Sequence, residues 1–225
     1  MFGFSRCAMA VLFVAVARPA LASADLSACA NVAALEDRAR SGRLEAGEVE
    51  CLEARYQDED ELDRFRISQL LIADAGGKGD DGLWGARVSR HLTEVDPTDA
   101  LLALEYGEHI LRQPEQAELA LSWAEVALEH SYRFDHAEAT QSVIDAHRLR
   151  TRAGRARWEM AQAALVVEPE AKQRMQAAAA QSRMRLYAVD WMKQVASAGQ
   201  PTTEARAYCV ETGWTEARCD EAAAR

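Results

Sequence analysis

The stretch Pro114–Ser131 (PEQAELALSWAEVALEHS) constrains the fold more than any other part of this chain. Ala117, Ala120, Ala124, Ala127 and Leu128 recur at helical spacing, with Leu121 and Trp123 beside them. Pro114 suits a first helical position, where an N–H has no partner in any case, and Glu115 follows where the helix dipole favours an acid. A face of small residues lets a second helix approach closely, and a tryptophan fills the space at its side. Such a helix is packed on both flanks, which makes it the second helix of a hairpin in a larger stack of helices.

The rest of the chain agrees. Runs of Val, Ile and Thr are almost absent beyond the N-terminus, whereas Ala, Leu, Glu, Gln and Arg dominate, so the expected fold is all-α. Acidic side chains outnumber basic ones, 36 to 26. Nucleic acid and anionic membranes are therefore disfavoured as partners.

Residues 1–24 read as an export signal. A short basic start, Met1–Arg6, precedes the apolar run AMAVLFVAVA, and Ala22-Ser23-Ala24 supplies a small-x-small cleavage site. The apolar run is too short for a mature membrane span. Loss of Arg6 and Arg18 makes the mature chain still more acidic. Leu26-Ser27-Ala28-Cys29 also resembles a bacterial lipobox, which implies an acylated Cys29 and a lipid-anchored structural subunit of an outer-membrane machine. Arg18 and Asp25 separate that motif from the apolar run it should abut. Acylation would also take Cys29 away from Cys51.

Cys7 leaves with the signal, and Cys29, Cys51, Cys209 and Cys219 remain. An even number in an exported chain points to disulfides, and four cysteines allow three pairings. Cys29 and Cys51 are symmetric about Arg40, beside the Ser41-Gly42 turn; Cys209 and Cys219 are symmetric about Trp214, beside Gly213. Residues equidistant from the turn of an antiparallel hairpin face each other, so this symmetry favours one staple at each end. The cysteine spacings do not suit a metal site.

Residues 25–57 form an N-terminal helical hairpin, its first helix carrying Cys29, Val32, Leu35 and Ala39. The acidic run 57–61 lacks the glycine and closing glutamate of a calcium loop and reads as a helix start. A helix over 62–75 ends at Gly76-Gly77-Lys78-Gly79-Asp80, which is not a P-loop because no Ser or Thr follows the lysine. Further helices are expected over 82–95, 99–112 and 114–131. Another pair spans 134–152 and 155–167, broken at Gly154. Residues 170–225 supply capping helices: a long one to Ala198, a short one from Thr202 or Thr203 to Val210, and a last one started by Thr215.

Pro97, Tyr132 and Pro169 close successive units at a spacing near the roughly 34 residues of a tetratricopeptide repeat. The central unit, Ala100 to Tyr132, resembles that family at Gly107, Ile110, Ala120 and Ala127. Trp123 lies one place from the aromatic slot, and Ala103, Tyr106 and Tyr132 depart from the pattern. The unit before it matches at Leu71, the Gly79-Asp80 turn and HLTEVDP; the unit after it matches at Val143, Ala164 and Pro169, with Arg157 in place of a small residue. An irregular Ala-rich bundle would imitate part of this pattern. The resemblance implies a right-handed α-solenoid with three degenerate repeats over 58–169, which the disulfide-stapled terminal hairpins expected from the cysteine symmetry would cap. It also implies a concave face that binds other proteins or extended peptides. The positions corresponding to the family's groove are Arg66, Gln69, Leu101, Leu104, Glu108, Glu138, Gln141, Asp145 and Arg148. A hydrophilic helix face needs no ligand, so these residues also fit plain solvation.

Motifs for chemistry are lacking. The histidines His91, His109, His130, His136 and His147 fall into no metal-ligand spacing, and His147 occupies a packing slot. No G-x-S-x-G occurs. The cluster Arg148, Arg150, Arg152, Arg155 and Arg157 is read as offsetting the chain's acidity, with anion binding as the sharper alternative. An enzyme would need titratable groups gathered in one cleft. The expected role is an exported, envelope-associated scaffold with no catalytic activity, no cofactor and no metal.

Overall fold

The computed structural model describes residues 28, 29, 31–58, 60–131 and 136–225, with the side chains of 58 and 136–139 excluded. The proposed signal, residues 1–24, and Tyr132 lie outside the described residues. A 3-10 turn, Val32–Leu35, leads into α1 (Glu36–Arg40). Then follow α2 (Ala46–Asp58), α3 (Glu61–Lys78), α4 (Asp81–Glu94) and α5 (Ala100–Ile110). A second 3-10 turn, Pro114–Gln116, opens α6 (Ala117–His130). The chain continues through α7 (His136–Val167), α8 (Ala171–Ser197), α9 (Thr203–Glu211) and α10 (Glu216–Ala224). No strand occurs among the described residues.

Local chemistry sets the boundaries. Asp60, Asp80 and Asp99 each accept an N–H from the first turn of the following helix, as N-cap side chains do. Thr215 does the same for α10 at 3.3 Å. Gly79, in left-handed conformation at φ +68, ends α3 with its N–H on the Ala75 and Gly76 carbonyls.

Packing follows chain order. α3 packs on α4, α5 on α6, α7 on α8 and α9 on α10. Between these hairpins α4 meets α5, α6 meets α7 and α8 meets α9, while α1 lies on α3, α5 on α7 and α7 on α9. The interior is accordingly divided into successive apolar clusters. One holds Leu35, Leu52, Ile67 and Leu71; the next holds Ile72, Val88, Leu92 and Ala103; a third holds Ala120, Ala124, Leu149 and Ala153; the last holds Ile144, Trp191, Met192 and Val195.

Both disulfides are present as the symmetry argument requires, Cys29–Cys51 and Cys209–Cys219, and all four cysteines are buried. Cys29 is carried by a turn before the first helix rather than by the helix itself.

Among the boundaries that differ from the sequence reading, two do so because a glycine serves packing rather than termination. Gly154 does not break a helix: α7 runs unbroken through it, so the span 137–169 holds one long helix and its hairpin partner is α8. A Cβ on Gly154 would meet the Tyr187 ring at 2.9 Å, so the glycine lets α8 lie close. Likewise α3 continues through Gly76 and Gly77 to Lys78. A Cβ on Gly77 would lie 2.3 Å from the backbone N of Gly42, where the turn after α1 rests on α3.

These contacts predict opposite outcomes for two helical glycines. Gly77→Ala must push the 41–43 turn off α3 and should destabilise the protein by about 1–3 kcal/mol in urea unfolding. Gly47→Ala meets nothing within 4 Å and should stabilise it by about 0.5–1 kcal/mol. Removing either disulfide by paired Cys→Ser substitution should cost roughly 3 kcal/mol, slightly more for the Cys29–Cys51 loop because it is longer.

Candidate functional site

Helix α5 lies between the end of α3 and the middle of α7, and the three enclose a cleft of about 580 Å³. Its walls come from Ala75 and Gly76 of α3, Trp84 at the start of α4, Leu104, Glu105, Glu108, His109 and Arg112 around α5, and Asp145, Arg148 and Arg152 of α7. Leu104, Glu108, Asp145 and Arg148, which the repeat resemblance singles out from two different units, therefore share one site.

The other expected positions are placed differently. Arg66 and Gln69 line a second cleft of about 490 Å³, beside Val32, Arg40 and Phe65. Gln141 borders a small recess of about 100 Å³ towards α9, whose wall again includes Asp145 and Arg148. Its amide donates to Asp145 at 3.0 Å, and its carbonyl accepts from Gln200 at 3.2 Å. Leu101 is exposed on α5 outside these recesses. The side chain of Glu138 lies outside the described residues.

The cleft's polar groups are largely paired. Arg148 meets Asp145 at 2.9 Å, Arg112 meets Asp81 at 2.6 Å, and Arg152 pairs with Glu108 across the α5–α7 contact. Glu105 is exposed at the cleft and has no cation against it among the described residues. Partial desolvation, and then the charge of Asp99, raise its pKa. The aromatic wall is ordered by the same helices. His109 packs edge-on to Trp84 at 5.1 Å and parallel to Tyr106 at 6.4 Å. Its Nε2 occupies the space that a Cβ on Gly85 would need.

Glu105, His109, Arg112, Arg152 and Trp84 were not among the expected site residues. Part of that set had a readable signal: Glu105, Glu108, His109 and Arg112 fall at helical spacing on one face. Trp84 had none, because its approach depends on how α4 meets α5.

The arginine cluster on α7 resolves into ion pairs. Besides Arg148 and Arg152, Arg150 meets Asp190 at 2.9 Å and Glu125 at 3.3 Å. Arg155 meets Glu159 at 2.8 Å, and Arg157 meets Glu118 at 2.8 Å. These guanidiniums join α7 to α5, α6 and α8, which leaves little positive charge for an anion. Among the described residues no group of three His, Cys, Asp or Glu side chains is disposed to hold a metal ion, and no helix is long and apolar enough to cross a membrane. At the far end of the α7–α8 hairpin, Val166, Val167 and Met175 are strongly exposed.

His147 is buried beside this network, as its packing slot suggested. Arg150 donates to its Nδ1 at 3.0 Å and stacks over Tyr187. Burial first, and the Arg150 charge second, push its pKa down from 6.5 to about 4, against a smaller upward pull from Asp190.

No family model matches this chain, and neither a curated protein nor a solved structure is significantly similar to it.

The His147 environment predicts a pH dependence of stability. The unfolded chain takes up a proton near pH 6.5, and the folded chain only near 4. Folding stability is therefore unaffected above that window and falls as pH drops from about 6.5 to 4, by up to roughly 3 kcal/mol. His147→Gln should remove that component, so the stability difference between wild type and variant, followed by urea unfolding, should shrink as pH falls through the window.

Proposed function

We propose that this chain is an exported scaffold of the cell envelope that binds an extended segment of another protein along the inner layer of tetratricopeptide-like hairpins. In this reading α1, α3, α5, α7 and α9 form the inner layer, and α2, α4, α6, α8 and α10 the outer one. The contacts of α1 with α3, of α5 with α7 and of α7 with α9 support that layering, as does the division of the core into successive clusters. The hairpins would be counted differently from the sequence reading, since α7 and α8 together form one unit.

One observation carries the binding assignment. Leu104 and Glu108 from one unit and Asp145 and Arg148 from the next, chosen by their repeat positions, meet in a single cleft. Asp145 and Arg148 also border the recess towards α9, so the groove continues along the layer. Arg66 and Gln69 line a separate cleft beside α1. Asp81, Glu108 and Asp145 are held by arginines and are poor proton acceptors, which favours binding over catalysis at those positions.

Export is supported by the two disulfides, which persist in oxidising compartments. The signal at residues 1–24 provides the route. The lipid-anchored alternative is disfavoured, because a sulfur bonded to Cys51 cannot carry the thioether of an acyl anchor.

The test exchanges two charges without removing their ion pair. Asp145→Arg combined with Arg148→Asp keeps opposite charges three residues apart, so stability should change by about 1 kcal/mol or less. Crosslinking of the tagged mature protein in its native envelope should yield a short, reproducible set of proteins with the wild type, and lose it with the exchanged variant. Retention of the same partners by a stably folded variant would refute the groove assignment.

A further inference from the structure

The central cleft carries carboxylate that the protein itself does not neutralise. Its guanidiniums are already engaged: Arg112 by Asp81, Arg148 by Asp145 and Arg152 by Glu108. An arginine committed to its own carboxylate has little to offer an incoming acid. Two acids in the same wall are not so committed. Glu105 has no cation against it among the described residues. Asp80 accepts the Leu83 N–H at 2.9 Å as an N-cap but meets no side-chain cation among the described residues.

Glu108 adds a more specific signal. Its Oε2 accepts from Arg152, whereas its Oε1 is buried and receives no hydrogen bond. A buried carboxylate oxygen without a donor is costly, and an N–H arriving from a ligand would satisfy it. Trp84 borders the same cleft. Its indole face suits the aliphatic stem of a long cationic side chain and attracts the cation at its end. The acidity of the whole chain would steer a basic partner towards the site.

We propose that the groove selects a basic extended segment, with a lysine or arginine side chain lodged beside Trp84 and its charge against Glu105 and Glu108. This inference rests on the groove reading above and adds the chemistry of its partner. The backbone of such a segment would lie over Leu104 and continue towards Asp145 and Arg148.

The test uses the mature disulfide-bonded protein and three short fluorescent peptides, one alternating Lys with Ala, one Glu with Ala and one Ser with Ala, followed by anisotropy. The lysine peptide should bind best, weaken as salt rises, and lose about tenfold in affinity with Glu105→Gln. Glu105 is exposed, so that variant should melt like the wild type. Equal or tighter binding of the serine or glutamate peptide, displaced by the Asp145/Arg148 charge exchange, would overturn the basic selectivity and leave the groove standing. Binding of any peptide that neither Glu105→Gln nor the exchange alters, or binding of none, would overturn both.

Discussion

The packing of α5 to α9 depends on how closely helices can approach α7. That helix is 32 residues long and is packed by α5, α6, α8 and α9. So many neighbours fit only if the facing side chains are small where helices cross. Ala120 and Ala124 of α6 meet Leu149 and Ala153 of α7, and Gly154 admits the Tyr187 ring from α8. Gly107 likewise leaves room for Leu149, whose Cδ2 would lie 2.5 Å from a Cβ there. With such short distances, the polar faces of α5 and α7 are drawn together. Arg152 reaches Glu108, and the cleft forms beside that pair. The site is thus a by-product of apolar packing, with ion pairs fixing its final shape.

The N-terminal hairpin is attached by a different device. Its helices bury Leu35, Ala39, Leu52 and Tyr56 against Ile67, Leu70 and Leu71 of α3, and the Cys29–Cys51 bridge restricts the chain that holds them. The hairpin is tied to α3 by the buried carboxylate of Asp74. That group accepts the N–H of Leu44 at 3.2 Å and a hydrogen bond from Lys78 at 2.7 Å, with Arg87 3.5 Å away. A charge this deep is tolerable only because cations and a backbone donor surround it, and losing any one of them would weaken that compensation. Gly42 against Gly77 brings the turn close enough for the Leu44 bond. At the other end the Cys209–Cys219 bridge closes α9 onto α10, and Arg185 holds Thr212 through the backbone carbonyl at 2.8 Å.

How much of this was legible in the sequence depends on the range of the interaction involved. Helix periodicity and capping are local, so α3 to α6, α9 and α10 were readable, and Thr215 could be named as the cap of α10; the first helix was read too long, since Cys29 lies in a turn and Val32–Leu35 is a 3-10 turn. Disulfide pairing was readable because symmetry about a turn is also local. Gly154 and Gly77 misled for the opposite reason. Glycine is a helix terminator by local propensity, but here each is kept by a neighbour far along the chain: Tyr187 in one case, Gly42 in the other. The candidate site shows the same division. Leu104, Glu108, Asp145 and Arg148 were named from repeat positions and Glu105 shares a helix face with Glu108, whereas Trp84 and the Arg152 pairing depend on how helices from different hairpins meet. Arg66 and Gln69 point to the cleft beside α1, a separation that no periodicity encodes.

The central claim is that partners meet the inner layer at the cleft rather than the exposed apolar end of the α7–α8 hairpin. A photo-crosslinking residue at Leu104, compared with one at Val166, tests it in the native envelope. The account predicts a discrete protein adduct from position 104 and none from position 166. An adduct from 166 alone would contradict it and move the interaction surface to the hairpin end.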